Sequence, residues 1–174
     1  MYRQLVAIFI LGTLPAAAVA GWSIVTHTNT DNNTKTKVAY TENNDGYSLE
    51  IYRDASNAIR SRFGMNHNLH RIAEKSCPTY QVDQRPPENR SVNDATCILH
   101  RQWAEFVLGY IEGNQVTSTL LHNMMNGNSI TYRFILENGG YGETKFSLSG
   151  SKHTVTDVLG SNITIRTDKG FTVN

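Results

Sequence analysis

Apolar and polar residues alternate at period two along most of the chain, the pattern of strands with one side on a core. In YSLEIYR, Tyr47, Leu49 and Ile51 share one face and Ser48, Glu50 and Tyr52 the other. NAIRSRFGM answers it, with Ile59, Ser61, Phe63 and Met65 on one side and Arg60 and Arg62 on the opposite one. Joined through Asp54, Ala55 and Ser56, the two predict a hairpin in which Ile51 faces Ile59 and Glu50 faces Arg60. Apolar and charged pairs then agree on one register, which makes Arg60 a structural residue first.

A second hairpin is predicted from SITYRFIL, with Tyr132, Phe134 and Leu136 inward, and GETKFSL, with Phe146 and Leu148 inward. Asn138, Gly139 and Gly140 between them tolerate positive φ. Further strands are predicted over residues 22–28, 36–41, 79–82, 97–100, 105–111 and 162–167, with a loose polar loop over residues 29–37. Two short helices interrupt them. TSTLLHNMMNG has Thr117 or Ser118 as cap, an apolar face of Leu120, Leu121, Met124 and Met125, and a stop at Gly127. SGSKHTVTDVLG repeats the plan with Ser151, Val155, Val158, Leu159 and Gly160. The prediction is a mainly β protein, a β-sandwich or open barrel of about eight strands with two short helices.

The first residues break this pattern and bear on compartment. One charge, Arg3, precedes the uncharged run LVAIFILGTLPAAAVA, which ends in the small-x-small triplet Ala18-Val19-Ala20. This reads as a signal peptide over residues 1–20, leaving a single exported β-rich domain over residues 21–174. The run is short for a membrane core of about 30 Å and is broken by Gly12 and Pro15, so no stable span is expected after cleavage. Loss of Arg3 leaves 15 basic residues against 15 acidic ones in the exported part. Without a net field, nucleic acid is not an expected partner.

Cys77 and Cys97 are the only two cysteines. In an exported chain they most simply form a disulfide. The loop between them holds Pro78, Pro86 and Pro87, a composition that does not pack a core. Closing a loop of this length contributes roughly 3 kcal/mol in the chain-entropy view. A zinc site would want a second cysteine two to four residues from either one, and a catalytic thiol would want a reducing compartment and a nearby base. Of the six histidines, His67 and His70 in HNLH, with Met65 before them and His122 elsewhere, compose the candidate soft-ligand set for copper or zinc. Surface histidines and core methionines account for the same residues.

No Gly-x-Ser-x-Gly elbow, phosphate-cradling glycine loop or dinucleotide fingerprint occurs. Glu137 and Glu143 flank the second turn and could be drawn as a catalytic pair, although turn acids are usually solvated. No catalytic residue and no cofactor are therefore expected. Tyr52, Tyr80 and Tyr110 could line a sugar- or peptide-binding face, or simply pack the core and its rim. Asn32, Asn89 and Asn162 stand in acceptor-type sequons, which matter only in a glycosylating pathway.

The order of features resembles the invasion-associated locus B family of small exported bacterial proteins. The likeness lies in GWSIVT at the start of the exported part, the hairpin YSLEIYRDASNAIRSRFGM and the two mid-chain cysteines. It continues in TSTLLHNMMNG, the ladder SITYRFILENGGYGETKFSLSGS and HTVTDVLG. The resemblance implies a sandwich-like periplasmic or surface protein, linked to host-cell invasion, with no enzymatic activity or cofactor. The expected function is thus non-enzymatic binding to a protein partner in the envelope or on a host cell. The contact element expected is the loop between the cysteines, with Arg85, Pro86, Pro87 and Arg90 at its exposed tips. The alternatives are an envelope-acting hydrolase with a dispersed site and a periplasmic copper or zinc carrier.

Overall fold

The computed structural model describes residues 21–29, 33–65, 71–88 and 97–168. Eleven strands and two helices are present among them. Eight strands have four or more residues: β1 (Ser23–Thr28), β2 (Lys35–Glu42), β3 (Ser48–Arg53), β4 (Ala58–Gly64), β5 (Thr79–Val82), β7 (Trp103–Tyr110), β9 (Ser129–Ile135) and β10 (Tyr141–Ser147). The other three, β6 (Ile98–His100), β8 (Gln115–Thr117) and β11 (Thr164–Arg166), have three residues each. β8 was not predicted, because QVT is too short to show a period. The helices are α1 (Thr119–Asn126) and α2 (Ser151–Leu159).

An antiparallel sheet of order β1-β2-β3-β4-β7-β6 faces a second of order β10-β9-β5, and β8 and β11 form a small parallel pair. None of these sheets closes into a barrel, and the two larger ones make the sandwich. Their inner faces meet in an aromatic layer. Phe63 of β4 stacks on Tyr132 of β9 with centroids 4.7 Å apart, and Tyr80 of β5 meets Phe106 of β7 edge-on at 5.1 Å. Burial holds the Tyr132 phenol well above the usual tyrosine range, eased by its contact with the Ser61 hydroxyl at 3.4 Å. α2 lies over β2 and β3, so Val155 and Leu159 join Ala39, Leu49 and Ile51 in the same apolar cluster.

Local chemistry sets the helix ends. The Ser118 hydroxyl accepts from the Leu121 N–H and caps α1. Ser151 is not a cap: Gly150 takes that position with φ +90°, and the buried Ser151 hydroxyl donates to the Met124 carbonyl, tying α2 to α1. Gly142 of β10 pairs with Phe134, whose ring occupies the space a β-carbon would need.

The first hairpin departs from the predicted register. The pairs are Glu50 with Arg62, Ile51 with Ser61 and Tyr52 with Arg60, not Ile51 with Ile59 and Glu50 with Arg60. The loop is Ala55, Ser56 and Asn57, one residue further on than predicted, because Asn57 adopts φ +64° and the Asp54 N–H closes on the Ala58 carbonyl. The Asp54 carboxylate fixes this turn by accepting from the Ser56 and Ala58 N–H groups. A slip of two residues leaves every side chain on its predicted face and changes only its partner.

Candidate functional site

The outer face of the six-stranded sheet carries a row across its strands: Tyr40, Glu50, Arg62, Glu105 and Ile98. The next row holds Val38, Tyr52, Arg60 and Val107. Alternation predicts these polar positions to be solvated, yet Glu50 is 8% and Glu105 6% exposed. Glu105 is enclosed by its partners. Its Oε1 accepts from Arg60 at 3.0 Å, and its Oε2 accepts from Arg62 Nε at 3.1 Å, from Arg62 Nη2 at 2.8 Å and from the Tyr52 hydroxyl. Arg62 lies over the rings of Trp103 and Tyr52, 4.9 and 5.4 Å from their centroids. Arg60 also donates to Asp54. Burial, then the hydrogen bond to Glu105, push the Tyr52 phenol up, against the opposing pull of Arg62. Burial would raise Asp54, but the bonds from Ser56, Arg60 and Ala58 outweigh it and hold the carboxyl at about 2.

Glu50 is bound less closely. Its Oε1 is 3.6 Å from His27 Nε2 and its Oε2 3.7 Å from an Arg62 nitrogen, both beyond hydrogen-bond length. The buried Oε2 has no hydrogen-bond partner among the described residues. Above it lies a cavity of about 320 Å³, whose walls include His27, Asn29, Thr36, Tyr52 and Arg62. No sequence signal marked this site, since Glu50 read as an outward strand residue.

The predicted contact loop lies on the other side of the sandwich. Cys77 and Cys97 are at disulfide distance, with Cα atoms 5.9 Å apart. Between them the chain turns sharply at Asp83, φ +53°, and returns so that Tyr80 and Glu88 form an antiparallel bridge. The Asp83 carboxylate accepts from the Asn128 and Ser129 N–H groups, which fastens the turn to the start of β9. Burial opposes ionisation of Asp83, but these bonds and Arg85 outweigh it and lower its pKa. Gln84, Arg85 and Pro86 are exposed, whereas Pro87 is half-buried and is not the exposed tip predicted, since the return to Glu88 folds it inward. Arg90 lies outside the described residues. Gln84 and Arg85 share an open depression of about 660 Å³ with Thr131 and Lys145.

Of the metal candidates, Met65 and His122 fall among the described residues. Met65 is 2% exposed inside the apolar cluster because it continues the inward alternation of β4, so its sulfur is taken up by packing. His122 lies on α1 beside a cavity of about 300 Å³ between the helices and β11, and His67 and His70 lie outside the described residues. Among the described residues no three His, Cys, Asp or Glu gather as a metal site. Glu137 contacts Arg101 at 3.4 Å and Glu143 pairs with Arg133 at 2.6 Å, as separate surface pairs. Tyr52, Tyr80 and Tyr110 share no binding face: Tyr80 is in the core, Tyr52 in the ionic layer, and Tyr110 is exposed. Asn162 is exposed, and Asn32 and Asn89 lie outside the described residues. Among the described residues no helix is long and apolar enough to cross a membrane. Comparison with known proteins finds no matching family model, no matching curated protein and no matching solved structure.

Proposed function

We propose that the protein is an exported, non-enzymatic binding protein of a bacterial periplasm or cell surface, whose contact element is the turn at Gln84, Arg85 and Pro86. The observation that carries this reading is the depression that Arg85 and Gln84 share with Lys145. Arg85, which pairs with Asp83 at 3.0 Å, and Lys145 bring two cationic side chains to its rim, which suits a protein partner with acidic groups. The turn is held at both ends, by the Asp83 carboxylate on Asn128 and Ser129 and by the Tyr80–Glu88 bridge, so little ordering entropy remains to be lost on contact. The leader-like residues 1–20 and the cysteine pair fit an oxidising compartment. The resemblance in feature order to the invasion-associated locus B family agrees with that placement.

The test is affinity capture from the native envelope with wild-type protein and an Arg85→Ala/Lys145→Ala variant. The reading expects a specific partner whose recovery falls about tenfold in the variant while the thermal midpoint is unchanged. Undiminished recovery by the folded variant rules out this contact face. A second reading, an envelope-acting hydrolase, draws on one observation: His27, Glu50, Tyr52 and Arg62 line the same cavity. Turnover of isolated envelope polymer that disappears in His27→Ala would place it above the binding reading.

A further inference from the structure

The cavity over Glu50 is separate from the contact turn and poses its own question, because a buried carboxylate oxygen without a hydrogen-bond partner carries a desolvation cost. The charges around it do not balance. Asp54, Glu50 and Glu105 are three carboxylates and Arg60 and Arg62 are two guanidiniums, with His27, 3.6 Å from Glu50, adding a positive charge only when protonated. Arg62 spends its Nε and one terminal nitrogen on Glu105, and Arg60 is divided between Asp54 and Glu105. The excess negative charge therefore rests on Glu50, next to the cavity. About 320 Å³ is at the small end of ligand sites, which run from ~300 to ~1,000 Å³, so it suits one group of side-chain size.

The chemistry of the walls narrows the group. Thr36 offers a side-chain oxygen at the cavity wall, and Val38 and the Tyr52 ring offer apolar surface. A sugar would want an open aromatic face, and the Tyr52 ring already lies against Arg62. A metal ion would want three close ligands, and no such group gathers among the described residues. An ammonium brings three donors, a positive charge and a thin aliphatic stem.

We propose that the cavity over Glu50 binds a primary ammonium group on a short aliphatic chain, either a free alkylamine or a lysine side chain. The ammonium sits on the Glu50 carboxylate, and the chain lies along Val38 and Tyr52.

The test is a titration of isotope-labelled whole protein followed by amide NMR. The probes are n-butylammonium chloride and Nα-acetyl-lysine N-methylamide, with n-butanol and matched sodium chloride as controls. Saturable shifts on β1 and β3 around His27 and Glu50 are expected with at least one ammonium probe, at concentrations near or below about 1 mM, and none with the controls. Response to butylammonium alone indicates a free amine, and response to the lysine derivative indicates a protein side chain; either supports the site. Glu50→Gln should weaken binding about tenfold. If that variant does not fold, Thr36→Val at the cavity rim decides, with about threefold weakening expected. The proposal is overturned if neither ammonium probe gives a saturable shift, if butanol binds as well, or if the folded variants bind as the wild type does.

Discussion

The strands β3, β4 and β7 bury side chains on both faces, and for different reasons. On the inner face Leu49, Ile51, Ile59, Phe63 and Phe106 are covered by a second layer, β5, β9, β10 and α2, and burial is ordinary apolar packing. On the outer face Glu50 and Glu105 are as hidden as many core residues, yet Glu105 is covered by its own neighbours, the side chains of Arg60, Arg62 and Tyr52. The difference teaches that a polar position in a strand need not be wet. Arginine and tyrosine side chains can roof a carboxylate while keeping it paired.

The comparison is most strongly tested on its inner side. Phe63 contacts the rings of Tyr47, Tyr132, Phe134 and Phe146, so Phe63→Ala should cost about 3–5 kcal/mol in urea unfolding. A loss under about 1 kcal/mol would mean that the aromatic layer does not hold the sheets together. The outer side is sharpened by acid. Asp54 has its carboxyl lowered to about 2 from 3.8, so its contribution is complete above about pH 4 and is lost as pH falls through about 2. The wild type should exceed Asp54→Asn by on the order of 1 kcal/mol at pH 6, after allowance for solvent screening, and the gap should close near pH 2. A gap that stays constant with pH would show that the Asp54 turn and its bond to Arg60 do not depend on charge.

Much of the fold was legible because alternation reports which side of a strand meets the core. Ile59, Ser61, Phe63 and Met65 all face inward as predicted, and Leu121, Met124 and Met125 are buried on α1. Partners across the sheet were less legible. The hairpin register turned on whether Asn57 would enter the turn with positive φ, and the choice moved the partner of Glu50 from Arg60 to Arg62. The cavity was hidden for the same reason, since it depends on which carboxylate Arg62 serves first, and β7 brings Glu105 to it from a distant part of the chain. Arg85 was singled out as a contact candidate only from its place between the cysteines, and the clasp of Asp83 on Asn128 and Ser129, between segments 45 and 46 residues apart, left no sequence signal.

The central claim is that the outer face is an enclosed ionic layer and not a set of surface pairs. A double-mutant cycle with Arg62→Met and Glu105→Gln, each followed by urea unfolding, measures it directly. A coupling of about 2 kcal/mol is expected, above the ~0.2–1 kcal/mol of exposed ion pairs. A coupling below about 0.5 kcal/mol would contradict the account and return Glu105 and Arg62 to ordinary solvated surface.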